Sequence, residues 1–111
     1  MVNLHVKSRQ QSAHRMIQRW GGMGYLVRAT VQRAVTMARM DYTPKANGVA
    51  LDKVSRIRIS VIGLSTPPDA ELDEIIFQGE KYRITSEPTG PSPGNDFVFY
   101  DCEVAMIGTV P

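Results

Sequence analysis

With 111 residues, 42% of them apolar, the chain has material for one modest hydrophobic core and too little for two. No apolar run approaches the roughly 18 residues that span a bilayer, nor does an apolar stretch follow the basic N-terminus as a signal peptide requires. A soluble protein is expected, and its lone cysteine, Cys102, suits a reducing compartment. The net charge of +2 conceals a division: residues 1–58 hold eleven Lys and Arg against two acids, residues 59–111 two against nine. Either both faces are simply solvated, or the subunit is dipolar, its basic part meeting nucleic acid or an acidic neighbour and its acidic part something basic.

In chain order, residues 1–7 read as a flexible arm. From Ser8 to Trp20, the apolar residues Ala13, Met16, Ile17 and Trp20 recur at helical spacing, which predicts an amphipathic helix over 8–20 with this stripe on the core. Gly21, Gly22 and Gly24 stop it. From Tyr25 to Gln32 the pattern alternates with period two, a strand, and Ala34 to Met40 is a weaker extended segment. Asp41 to Lys53, with Pro44, Asn47 and Gly48, reads as a long loop. Ile57, Ile59 and Val61 alternate with Arg56, Arg58 and Ser60 in a further strand, closed off by Gly63, Pro67 and Pro68.

Asp73 to Phe77 and Lys81 to Thr85 flank Gln78-Gly79-Glu80 and read as a hairpin. The Pro- and Gly-rich stretch from Glu87 to Asp96 is an exposed loop. In the last strand, Phe97 to Met106, the inward set is Val98, Tyr100, Cys102 and Val104, which makes Cys102 an inert core thiol. One helix and five or six short strands define an α+β, mainly β fold: a single domain over 1–111, with a small barrel or sandwich at 25–106. Expected packing residues are Trp20, Ile57, Ile59, Tyr82, Ile84, Val98, Tyr100 and Val104.

No catalytic residue, metal site or cofactor is expected. His5 and His14 have no acid at ligand spacing, and His14, on a basic helix without an orienting carboxylate, reads as a solvated histidine rather than a catalytic base. The carboxylate cluster Asp69, Glu71, Asp73 and Glu74 lacks the Gly and Glu positions of a calcium loop and reads as a solvated turn or an acidic interface. Gly21-Gly22-Met23-Gly24 follows a helix and precedes a strand, the reverse of the phosphate-binding order. Arg15, Arg19, Arg28, Arg33 and Arg39 form a candidate basic surface. With few aromatic residues among them, any DNA contact would be to phosphates and without sequence preference.

The stretch Gly79-Glu80-Lys81-Tyr82-Arg83-Ile84-Thr85, then the loop Pro88 to Gly94, then Phe97-Val98-Phe99-Tyr100-Asp101-Cys102-Glu103-Val104, resembles the head-closure, or head-tail joining, proteins of tailed bacteriophages. The likeness is best over Asp73 to Val104 and extends from Tyr25 onward, while the helix is found in only some members. A Gly-x-x-Tyr-x-Ile hairpin is also what any small barrel can contain. The resemblance implies a structural virion subunit, made in the host cytoplasm, that forms a ring below the portal protein, retains packaged DNA and offers a surface to a tail, tail-terminator or neck protein. In that setting Asp41, Tyr42, Lys45, Asn47, Asp52 and Lys53 are candidates for a segment reaching the portal or channel, and basic and acidic patches for pairing around the ring. The alternatives are another neck or tail-completion protein and a small barrel that binds nucleic acid non-specifically.

Overall fold

The computed structural model describes residues 4–43, 45–50, 54–92 and 96–110. A helix, α1 (Leu4–Trp20), precedes β1 (Gly22–Arg28), β2 (Val31–Arg39), the short β3 (Lys45–Ala46) and β4 (Val49–Ala50), β5 (Arg56–Ser60), β6 (Asp73–Phe77), β7 (Glu80–Ile84) and β8 (Phe99–Thr109). Six strands close into a barrel in the order β1-β2-β5-β8-β7-β6. Every pair is antiparallel, and the barrel closes where β1 meets β6 with Leu26 opposite Ile75 and Arg28 opposite Asp73. Closure leaves the six barrel strands without a free edge for another chain to extend.

The period-two pattern decides what fills the barrel. Leu26, Val35, Met37, Ile57, Ile59, Ile75, Phe77, Tyr82, Ile84, Cys102 and Val104 form one buried cluster, each taken from the inward face of its strand. Ile57, Ile59, Tyr82, Ile84 and Val104 are therefore core residues as expected, Val98 is buried outside this cluster, and Tyr100 packs partly buried against it.

Two ends follow from the topology. At one, which we call the hairpin end, α1 finishes, β1 begins, and the chain between β2 and β5 leaves the barrel. At the other, the loop end, lie the β1–β2 turn and the long connections β5–β6 and β7–β8. These two connections, residues 61–72 and 85–98, contain Asp69, Glu71, Glu87 and Asp96 and no Lys or Arg.

The helix lies outside, over β2 and β5. It begins at Leu4 rather than Ser8, so the expected arm over 1–7 is helical from its fourth residue; residues 1–3 lie outside the described part. The extension is held because Val6 is only 1% exposed. The stripe is also rotated from the expected one. Val6 and Ile17 are buried, whereas Met16 and Trp20 are 62% and 72% exposed, so Trp20 is not a core residue. The turn carrying Ile17 sits over Ala38, which is buried, and this leaves Met16 and Trp20 on the flank. Gly21 donates its N–H to Ile17 O at 2.9 Å, and a Cβ there would stand 2.1 Å from Met37 O; only glycine lets α1 turn this tightly onto β2. The strand then starts at once, at Gly22, where the sequence reading started it at Tyr25.

Two turns differ from the sequence reading, one hidden by alternation and one lying in a segment expected to be a loop. Tyr25 to Gln32 is not one strand but β1 and the start of β2, joined by a two-residue turn at Ala29-Thr30 with Arg28 opposite Val31. The expected loop Asp41–Lys53 contains a hairpin, with Asn47 (φ 51°) and Gly48 (φ 78°) at the turn between β3 and β4, the pair that favours a two-residue hairpin. Ala29 sits at φ 55°, a left-handed conformation that costs an L-residue about 1–2 kcal/mol. Ala29→Gly is expected to raise the unfolding free energy by about 0.5–1 kcal/mol, read from urea melts. An unchanged or lowered midpoint would contradict the turn geometry.

Candidate functional site

Inward-facing positions at the loop end carry charge instead of hydrocarbon. Asp73, whose side chain is 0% exposed, accepts Arg28 Nε at 3.0 Å and Nη2 at 2.9 Å, Arg33 Nη2 at 2.8 Å, and the Asp69 N–H at 2.8 Å. A buried carboxylate is tolerable only when its oxygens are so occupied. Burial pushes the Asp73 pKa up, but the hydrogen bonds from Arg28, the Asp69 backbone and Arg33 outweigh it and hold the group below the ordinary carboxylate value. Asp73 is thus buried away from any acidic surface, and it partly offsets the charge of Arg28 and Arg33, whose side chains remain 33% and 21% exposed.

The hairpin end repeats the device with different residues. Arg39, the last residue of β2, directs Nε to both Asp41 carboxylate oxygens at 2.9–3.0 Å, Nη1 to the Tyr82 hydroxyl at 3.3 Å, and Nη2 to Ser55 Oγ at 3.4 Å. The Tyr82 hydroxyl donates to Glu80. Burial first, and then this bond to a carboxylate, pushes the Tyr82 phenol up to about 12, so it stays a neutral donor. Both mouths of the barrel are therefore filled by arginine–carboxylate clusters.

A third cluster lies on the outer face of β5 and β8. Arg58 bonds Asp101 through Nε at 2.8 Å and Nη2 at 3.1 Å and stacks over Phe99 at 4.1 Å; Arg56 stacks over Tyr42 at 4.3 Å with Nη1 3.8 Å from Asp101. The stacking of Arg56 fixes the base of the hairpin, where Tyr42 and Val54 exchange backbone hydrogen bonds of 3.0 and 2.7 Å. Beyond this base, Lys45 to Ala50 are all exposed.

Of the six residues expected in a projecting segment, Asp41 and Tyr42 anchor its base, Lys45 and Asn47 lie on the exposed hairpin, and Asp52 and Lys53 lie outside the described residues. In the acidic group, Asp69 Oδ1 accepts the N–H groups of Glu71 and Leu72 at 2.8 and 3.1 Å, a local turn. Glu71 is exposed, and Glu74 faces Lys81 at 3.9 Å. Among the described residues, no group of three or more His, Cys, Asp or Glu is placed to hold a metal ion. His14 is not free in solvent: its Nδ1 lies 2.7 Å from Ser60 Oγ, and with Gln10 Nε2 donating to Phe97 O at 2.7 Å it ties α1 to the barrel. Burial drives the Cys102 thiol up to about 12, as expected of an inert core cysteine. No helix among the described residues is long and apolar enough to cross a membrane.

The candidate basic surface divides in two. Arg28, Arg33 and Arg39 have carboxylate partners, whereas Arg15 and Arg19 on α1 have none among the described residues. The segment Leu4–Trp20 holds Lys7, Arg9, Arg15 and Arg19 and no acid. Beside its C-terminal turns runs a cleft of about 240 Å³ lined by Met16, Ile17, Trp20, Ala38, Arg39, Met40 and Arg58. At the loop end a second cleft of about 450 Å³ is lined by Pro67, Pro68, Asp69, Ala70, Glu71, Glu87, Pro88, Phe97 and Tyr100. The sequence reading did not anticipate Trp20 and Met16 as surface groups, nor Glu87 beside Asp69; the hairpin was signalled by Asn47-Gly48 alone.

Comparison of the chain with protein-family models and with curated proteins gives no match.

Asp73→Asn is expected to cost about 3 kcal/mol, the loss typical of breaking a buried ion pair, because two arginines then face no charge. The folded pKa of Asp73 is depressed, so its contribution is full above the ordinary carboxylate range and is lost as pH falls through the folded value. The gap between wild type and variant in urea melts should therefore narrow on acidification, and a gap independent of pH would refute the assignment.

Proposed function

We propose that this chain is a head–tail joining, or head-closure, subunit of a tailed bacteriophage, a structural protein of the virion neck made in the host cytoplasm. It would act as a ring member below the portal protein, retaining packaged DNA and presenting a surface to a tail or neck protein. The observation that carries the reading is the exposed hairpin at 45–50, borne by a barrel whose two mouths are filled by ion pairs. A barrel filled by apolar side chains and ion pairs, bearing an exposed arm anchored where Arg56 stacks over Tyr42, suits placing a contact element rather than transforming a small molecule. The sequence likeness over Asp73 to Val104 supports the same reading, since it falls on β6, β7 and β8. Another neck or tail-completion role shares these features.

A second reading, a small barrel that binds nucleic acid through phosphates, is favoured by one observation, that Arg15 and Arg19 of α1 have no carboxylate partner among the described residues. It predicts an affinity that falls steeply as salt rises.

Deleting the gene from its phage should give free tails and heads that have lost their DNA in electron micrographs of the lysate; normal joined particles would remove the proposal. A finer test replaces residues 44–52 with an Asn-Gly turn, leaving the Tyr42–Val54 pairing in place. The barrel is expected to fold with an unchanged circular dichroism spectrum while joining in an assembly assay is lost. Joining at the wild-type level would show that the hairpin is not the contact element.

A further inference from the structure

We infer that the chain binds a second copy of itself head to tail, the C-terminal turns of α1 of one copy docking in the acidic cleft at the loop end of the next. The inference rests on the ring reading above for its biological setting and on the following features for its chemistry.

The α1 surface has the composition of a protein contact. Arg15, Arg19, Met16 and Trp20 project together, and Trp20 and Met16 are 72% and 62% exposed. Trp, Met and Arg are the residues enriched where proteins meet, and a large exposed tryptophan is a frequent anchor of such contacts. A duplex backbone would use the arginines but would leave Trp20 and Met16 in water, so the apolar pair favours a protein partner.

The complementary surface is on the same molecule. Asp69, Glu71 and Glu87 line a cleft together with Pro67, Phe97 and Tyr100, and neither connection that contributes them contains a Lys or Arg. It offers carboxylates to Arg15 and Arg19 and flat apolar groups to Trp20. The two surfaces cannot meet within one chain. Gln10 already bonds Phe97 O near the loop end, and at 1.5 Å per residue Trp20 lies about 15 Å farther along the helix, toward the hairpin end. Different surfaces at opposite ends make a heterologous contact, which closes into a ring when the rotation per subunit permits.

The intact chain supplies its own probe, because Trp20 is its one tryptophan. Sedimentation velocity over a concentration series at low salt should show association, accompanied by a blue shift of Trp20 emission and loss of acrylamide quenching. Arg15→Glu with Arg19→Glu, and separately Glu71→Lys with Glu87→Lys, should each weaken association by at least about tenfold while circular dichroism remains that of the folded chain. An equal mixture of the two should associate again, because both the native and the inverted charge pairings are then available. A monomer at every concentration, association that leaves Trp20 exposed, or wild-type association of either variant would overturn the inference. So would a helix variant that loses binding to duplex DNA while associating normally. Failure of the ring reading is separately visible: the chain would associate through these faces and yet be dispensable for joining heads to tails.

Discussion

The closure of the barrel turns on the meeting of Arg28 and Asp73 across β1 and β6. A small barrel has inward-facing positions at both rims that are too near solvent for a good apolar core and too enclosed for a free charge. Here they hold Arg28, Arg33 and Asp73 at one rim and Arg39, Tyr82 and Glu80 at the other. The bidentate geometry of Arg28 on Asp73 requires Arg28 and Asp73 to face each other across the strands, so the ion pair and the β1–β6 register specify one another. Slipping β1 by one residue would put Leu26 into water and turn Arg28 away from Asp73, and slipping β6 would expose Ile75.

The same pairing accounts for most of the charge division along the chain. The basic first half and the acidic second half are the two halves of the barrel wall, and Arg28, Arg33, Arg39, Arg56 and Arg58 meet Asp73, Glu80 or Asp101 across it. Among the described residues, the charges without an oppositely charged partner include Arg15 and Arg19 on α1, Glu71 and Glu87 in the loop-end connections, and the exposed Lys45 and Arg83 on β3 and β7. The filled barrel, with ion pairs at its mouths, contrasts with the exposed hairpin at 45–50.

Much was legible in the sequence because it depended on local periodicity. The alternation of Ile57 and Ile59 with Arg56 and Arg58, the turn at Gln78-Gly79 and the inward Cys102 and Val104 of β8 were each legible directly, and the succession of such segments marked the chain as mainly β. The turn at Ala29-Thr30 was not legible, since neither residue is a turn former and the alternation runs through it. The hairpin at Asn47-Gly48 was legible in principle, but its flanking segments are too short and too exposed to show a periodic pattern.

The sequence by itself determined the fold class, most of the barrel core and the inert character of Cys102, all of which follow from which side of a strand a residue faces. Only the tertiary structure decided which charges are free. Asp69, Glu71 and Asp73 are neighbours in sequence, yet Asp73 is sealed beneath two arginines while Glu71 stands in solvent, because Asp73 opens β6 on its inward face opposite Arg28 whereas Glu71 lies in the turn that precedes the strand. Trp20 was reversed for a similar reason: helical spacing groups Trp20 with Ile17, but the direction from which β2 approaches chooses the Val6–Ile17 face for burial. Periodicity fixes which residues share a face; the partner element, brought from a distant part of the chain, decides which face is covered.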